Sequence, residues 1–293
     1  MAPRKQPSER QRRLGVELRK LRTSAGISGD QAAALLDADR ARISNIEAGR
    51  IDVTRNRLYM LLREYGCPPG ALFDGLMAMA QESGKGWWDG FRDVVAPVAS
   101  DLAELESRST LVRMHEPLFV PGMLQTEGYA RAVIAETESD PQRVERFVAF
   151  RVARQRVLTR DKPVAYRAVI HESALRAHIG GPGVMRKQLS RLIEAARLPN
   201  VTVQIFPYEA GAYSAYSRSF VILGGATPEL DTVYLEHPHN SAFLRDGGHV
   251  DEYAKMFERL SQLALAPVDP DAAPESHEAR DSLSVIQHAL YTT

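Results

Sequence analysis

Leu14, Leu18 and Leu21 recur at i, i+4 and i+7, which draws one apolar stripe on a helix over residues 10–25. Arg12, Arg13, Arg19, Lys20 and Arg22 occupy the rest of that helix surface. Gly26 ends it. Ser28 starts a second helix, and Gln31 three residues on completes a capping box. Ala32, Ala33 and Ala34 keep this helix thin enough for another to cross closely. It stops near Asp37, and Asp39 caps a third helix that runs from Arg40 through Glu47 to Gly49. Ile43 and Ile46 face inward there, while Arg40, Ala41, Ser44 and Asn45 share the outer face. A fourth helix over residues 54–65 buries Leu58, Leu61 and Leu62 and stops at Gly66, ahead of Pro68 and Pro69. A fifth over residues 70–80 closes the bundle with Leu72, Phe73, Leu76 and Met77.

Residues 81–92 are polar and Gly-rich and contain Trp87-Trp88, a pair that packs at a domain junction. Helices are expected over 91–115, 125–136 and 141–159, with a short extended stretch and turn at 117–122. The period then shortens to two. Strands are expected over 164–170, 201–206, 219–223 and 232–235, with helices over 172–178, 182–197, 251–265 and 276–290. The fold class is mainly α with an α+β C-terminal domain. The domain plan is a disordered basic arm (1–9), a helix-turn-helix bundle (10–80), a linker (81–92) and an α+β domain (93–290).

Composition adds bounds. The chain has 293 residues, room for about two domains at roughly 100–200 residues each. Apolar residues at 44% and charged residues at 25% exclude a collagen-like or wholly disordered chain. Cys67 is the one cysteine, so an internal disulfide and a Cys-based zinc site are excluded and a reducing, cytoplasmic setting is expected. The polar, basic start does not read as a secretory signal, and no apolar run of about 18 residues predicts a membrane span. The 37 basic and 37 acidic residues balance, yet residues 1–66 hold 14 basic against 8 acidic ones. A basic end on an acidic remainder fits a nucleic-acid contact confined to that end, and fits a solvated basic face equally well.

Two short helices joined by about three residues inside a small bundle form a helix-turn-helix, whose second helix fits the major groove of B-DNA. Gly26-Ile27-Ser28 through Ile43-Ser44-Asn45-Ile46-Glu47-Ala48-Gly49-Arg50 resembles the XRE family, the phage-repressor and Cro type, over about residues 11–67. The resemblance implies a five-helix phage-repressor-like bundle with its recognition helix at about residues 40–48. It implies base contacts from Arg40, Ala41, Ser44 and Asn45. Phosphate contacts follow for Ser28, Arg42, Arg50 and Arg55, and a structural ion pair for Arg22 with Glu47. Arginine can grip guanine O6 and N7, and asparagine adenine N6 and N7, each for about 1–3 kcal/mol of discrimination. Three positions depart from the family pattern. Gly29 replaces a common Gln, Asp37 stands where Gly is usual in the turn, and Ala41 offers only a methyl group.

Glu116-Pro117 through Val120-Pro121-Gly122-Met123-Leu124-Gln125-Thr126, with Tyr129-Ala130-Arg131, resembles the C-terminal domain of an actinobacterial antitoxin-like regulator family. So do Arg151, Arg154-Gln155-Arg156-Val157-Leu158, residues 199–204, Phe206-Pro207, Gly211 and Tyr234-Leu235-Glu236. The resemblance spans about residues 90–285. It implies an antitoxin-like XRE regulator of a kind often encoded beside a small partner protein, and leaves open whether the C-terminal domain binds such a partner or a small-molecule effector.

No catalytic constellation emerges. His171-Glu172 starts like a zincin helix, but Leu175 stands where the second histidine is needed. His237-Pro238-His239 lacks a third ligand. Gly180-Gly181-Pro182-Gly183 lacks the P-loop lysine and reads as a helix start. Ser214, Ser217 and Ser219 lack a nucleophile elbow. Cys67 lacks an activating neighbour. Arg143, Arg146, Arg151, Arg154, Arg156 and Arg160 form a basic cluster, read either as a solvated face or as a contact for an anionic partner. The expectation is a non-enzymatic, cytoplasmic, sequence-specific regulator with no cofactor, no metal and no membrane contact. It binds double-stranded DNA, as a homodimer because one half-site gives little affinity. The alternative is an antitoxin-like module that sequesters a small partner and binds DNA to regulate itself.

Overall fold

A computed structural model describes residues 6–211, 218–237, 241–272 and 280–293. The chain divides into two units. One holds the described residues up to 86 together with 224–231, and the other holds those of 87–223 and 232–293.

The first unit is a bundle of α1 (Glu9–Ser24), α2 (Gly29–Leu35), α3 (Arg40–Glu47), α4 (Arg55–Glu64) and α5 (Ala71–Gln81). Short polar side chains set the helix starts by taking N–H groups that have no partner within the helix. Ser8 and Gln11 form a capping box on α1, Ser28 and Gln31 another on α2, and Asp39 accepts from the Arg42 N–H at the start of α3. Asp37 turns the chain between α2 and α3 at φ 47°, the one positive φ outside glycine among the described residues. Aspartate tolerates that left-handed conformation better than most residues. Leu14, Leu18, Ile43, Ile46, Leu58, Leu61, Leu62 and Leu76 form one core, and each fully buried leucine contributes about 2 kcal/mol.

The α1 surface differs from expectation. Arg13 is 1% exposed rather than solvated. It pairs with Glu17 at 3.2 Å and donates to the Glu229 carbonyl. Segment 224–231 also places Leu230 in the helical core. A distant stretch of chain therefore covers a helix face that its own neighbours leave polar.

The second unit contains α6 (Pro97–Arg108), β1 (Leu111–Glu116), α7 (Glu127–Ala135), α8 (Pro141–Arg154), β2 (Ala165–His171) and α9 (Ser173–Arg176). These are followed by α10 (Pro182–Ala195), β3 (Val201–Phe206), β4 (Phe220–Gly224), β5 (Thr232–Leu235), β6 (Ala242–Leu244), α11 (Gly247–Leu263) and α12 (Ser282–Thr292). The strands form one mixed sheet in the order β3-β2-β1-β4-β5-β6. β1, β2 and β3 run parallel, and β4-β5 and β5-β6 pair antiparallel. Alternate residues fill opposite faces. Ala168, Ile170, Val203 and Ile205 pack with Leu189 of α10 and Ile286 of α12, whereas Val169, Phe220, Ile222 and Val233 pack with Phe257 and Leu260 of α11.

The single helix expected over 91–115 is overturned. Trp87–Phe91 is a short 3-10 helix packed with Phe150, α6 ends at Arg108, and the chain enters the sheet as β1 at Leu111. Arg113, His115 and Glu116 hide the strand from a hydrophobicity reading. His115 is fully buried, and its Nδ1 lies 3.0 Å from the Val169 carbonyl oxygen, which partners the imidazole inside the sheet. β6 was also missed, since three residues carry too little period to read. α11 begins at Gly247 rather than 251 because Asp246 caps it. Part of the expected last helix, residues 276–279, lies outside the described residues, as do residues 1–5 of the basic arm.

Candidate nucleic-acid interface

The α3 helix has two chemically distinct faces. Ile43 and Ile46 are 2% and 4% exposed and anchor it in the bundle. Arg40, Ala41, Arg42 and Ser44 are exposed, and Asn45 is partly so. Burying the isoleucines fixes the rotation of the helix, and that rotation alone turns the Arg40, Ala41 and Ser44 side chains outward.

One acidic residue lies on α3, Glu47, and it is neutralised internally. Arg22 Nε donates to Glu47 Oε1 at 2.6 Å and Nη2 to Oε2 at 3.0 Å. Arg22 Nη1 also donates to the Ile27 carbonyl at 2.7 Å, which ties α1, the turn before α2, and α3 together. The Glu47 hydrogen bond holds the Arg22 pKa above its ordinary value against the opposing effect of burial. Burial, assisted by Glu47, pushes the neighbouring Tyr65 phenol up to about 12.

The outward cations are less engaged. Arg42, Arg50 and Arg55 are exposed and make no ion pair among the described residues. Arg50 Nη1 reaches Asn45 Oδ1 at 3.5 Å, the limit of a hydrogen bond. Arg40 lies 3.6 Å from Asp30 of α2, with both side chains largely exposed. Ser28 is exposed at the start of α2, where its oxygen accepts from the Gln31 N–H at 3.1 Å and its own O–H has no acceptor among the described residues. Arg55 is the first residue of α4. Arg19 of α1 was missed as a site residue, yet it lines the same cleft as Arg22, Arg40, Ser44 and Arg50. Its spacing of three residues before Arg22, on the same helix face, was the available signal. The result is an exposed helix face beside a cleft rimmed by guanidinium groups, a surface suited to phosphate and base-edge contacts.

The other candidate chemistries disperse. Ser214, Ser217 and His239 lie outside the described residues. Gly181 caps α10 and Pro182 is its first residue, so the glycine run is a helix start. Cys67 is 5% exposed and burial pushes its thiol pKa up, away from a reactive thiolate. Among the described residues, no group of three or more His, Cys, Asp or Glu is placed to hold a metal ion. No described helix is long and apolar enough to cross a membrane. The arginine cluster of α8 is not one solvated face. Arg143 pairs with Glu138 and Arg146 with Asp93 at the surface, while Arg154 turns inward to a bidentate pair with buried Glu106.

A family profile described as "Helix-turn-helix domain" matches residues 13–75, and one described as "Domain of unknown function (DUF5753)" matches residues 99–270. No curated protein and no solved structure matches the chain. The first match makes DNA binding in transcription regulation the general role of the bundle. The second covers more than half of the sequence, and the chain therefore belongs to the DUF5753 family, with a helix-turn-helix domain preceding the family's own.

Proposed function

We propose that the protein is a sequence-specific XRE-type transcriptional regulator that binds double-stranded DNA as a homodimer through α3. Arg40 and Asn45 read base edges, Ser44 adds a short hydroxyl contact, and the Ala41 methyl meets a thymine methyl. Ser28, Arg42, Arg50 and Arg55 hold the phosphates. The C-terminal domain supplies dimer contacts and senses an effector. One observation carries the reading: Ile43 and Ile46 are buried while Arg40, Ala41 and Ser44 on the same helix are exposed, and the one acid on that helix is neutralised by Arg22.

The test selects bound DNA from a random pool, then titrates the selected duplex by gel shift. Arg40→Ala and Asn45→Ala should each cost about 1–3 kcal/mol and relax the preference at their own base positions. A chain that selects no sequence, or a double variant that binds the selected duplex as the parent does, removes the reader assignment. The antitoxin-like reading draws support from Leu118 and Phe119, exposed by 61% and 42% just after β1. Co-purification of a small partner with residues 87–293 favours that reading.

A further inference from the structure

A cleft of about 330 Å³ opens between α1, the start of α2 and α3. Four arginines line it, Arg19, Arg22, Arg40 and Arg50, against one carboxylate, Glu47. Arg22 forks onto that carboxylate at 2.6 and 3.0 Å, and the two side chains are only 13% and 10% exposed. The pair therefore closes the deep end of the cleft and leaves no acid in it for the other three guanidinium groups. Arg40 leans out to Asp30 of α2 at 3.6 Å, and Arg50 reaches the Asn45 amide oxygen at 3.5 Å. Arg19 is exposed, and its side chain makes no hydrogen bond or ion pair among the described residues.

Gly29, the first residue of α2, keeps this space open. A β-carbon there would lie 3.4 Å from Cγ and Nε of Arg40, so the Arg40 stem already packs over that backbone. A longer side chain at position 29 would compete with it for the cleft. The two walls are also held in place. Arg19 stands on α1 and Arg50 follows α3, and the Arg22–Glu47 bridge ties those two helices together. Cations gathered around one cleft repel each other, and an anion seated among them relieves that repulsion. Because the bridge fixes the backbone beforehand, seating the anion orders little more than two side chains.

We propose that this cleft is the seat of one phosphodiester group of the DNA backbone, held by Arg19 from α1 and by Arg50 from beyond α3. Arg19 is thereby a further DNA contact. A guanidinium fork matches two phosphate oxygens, and the one carboxylate of the lining is already engaged by Arg22. The source of the phosphate follows from the place. With α3 in the major groove, the sugar-phosphate strands run along the walls of that groove, past the flank of α3 on which the cleft opens. A phosphate seated there fixes how far α3 enters the groove and carries no sequence information itself.

This inference rests on the α3 assignment of the proposed function and adds a backbone contact from α1 to it. Its test is a cycle of changes on both partners. The full chain is titrated by gel shift with the selected duplex, and with copies in which one backbone phosphate at a time is an uncharged methylphosphonate. Arg19→Gln should weaken binding by about tenfold, alike on every sequence, and should lower the salt slope by about 0.9 for each protomer bound. One methylphosphonate position should weaken the parent chain similarly and cost the Arg19→Gln chain nothing further. Lys20→Gln makes the same charge change one residue along α1, outside the cleft lining, and should show no such coupling. The proposal is overturned if Arg19→Gln binds DNA as the parent does, or if its loss adds in full to that of every methylphosphonate. It is also overturned if inorganic phosphate, titrated calorimetrically without DNA, binds through Arg19 while DNA affinity is indifferent to Arg19→Gln, since the cleft then serves a free anion. Either failure leaves Arg40 and Asn45 standing, because base preference scores those. A chain that selects no sequence still reports on Arg19 through the salt slope on an arbitrary duplex.

Discussion

Arg40 stands 3.6 Å from Asp30 in the free protein, so on the proposed reading a base contact means leaving a carboxylate. An exposed pair of this kind is worth about 0–1 kcal/mol, and a forked contact to guanine about 1–3 kcal/mol, so the base wins. On the same reading, Asn45 would give up a long contact with Arg50. Buried Glu116 presents the opposite case, an acid whose pKa rises to about 7 in the fold. The native state then holds that proton more tightly than the unfolded chain does. Its stabilising contribution is complete below the ordinary carboxylate pKa of 4.5 and is lost as pH rises through about 7. Glu116→Gln removes this dependence. The melting temperature of the variant should gain on the parent between pH 5 and pH 8, and parallel melting curves across that range would contradict the assignment.

At the scale of elements, the α3 edge is only as well aimed as its seat on α1. Gly15 of α1 lies directly against the backbone carbonyl of Glu47 at the end of α3, so a β-carbon there meets main chain rather than a side chain that can swing away. Gly49, at φ 70°, lies equally close to the backbone of Gln11. Gly15→Ala would gain about 1 kcal/mol of helix propensity and lose more to overpacking, about 1–3 kcal/mol. We expect net destabilisation and weaker DNA binding. A urea titration that follows the bundle reads this out, and a variant as stable as the parent would show that the two helices can separate without cost. The Arg22–Glu47 pair, two turns further along the same face of α1, holds the same seat.

For the whole molecule, charge decides how DNA binding responds to salt. Residues 1–66 carry a surplus of basic residues, but Arg13 is buried against Glu17 and Arg22 is paired with Glu47, so the surplus overstates the cations that can reach phosphate. On the proposed reading, Arg42, Arg50 and Arg55 are the arginines assigned to phosphate in each protomer. Three released counterions give a slope of log affinity against log salt of about −3, and a homodimer with six gives about −5. Binding titrations from 50 to 200 mM salt, of the order used for such slopes, therefore test the homodimer together with the phosphate contacts. A slope near zero would rule out both.

The sequence by itself determined the bundle. Caps, left-handed turns and the spacing of leucines and isoleucines are settled within about four residues of each position, so Ser28 with Gln31, Asp39, Ile43 and Ile46 were legible, and with them the outward side of α3. Most sheet strands were legible for the same local reason. β1 was not, because a strand that carries Arg113, His115 and Glu116 is made stable by β2 pairing beside it and by a carbonyl that meets the buried imidazole. Nor was the burial of Arg13, which depends on residues 224–231. Local pattern carries the energies of one helix turn or one strand, whereas contacts between distant residues exist only once the chain has closed its loops.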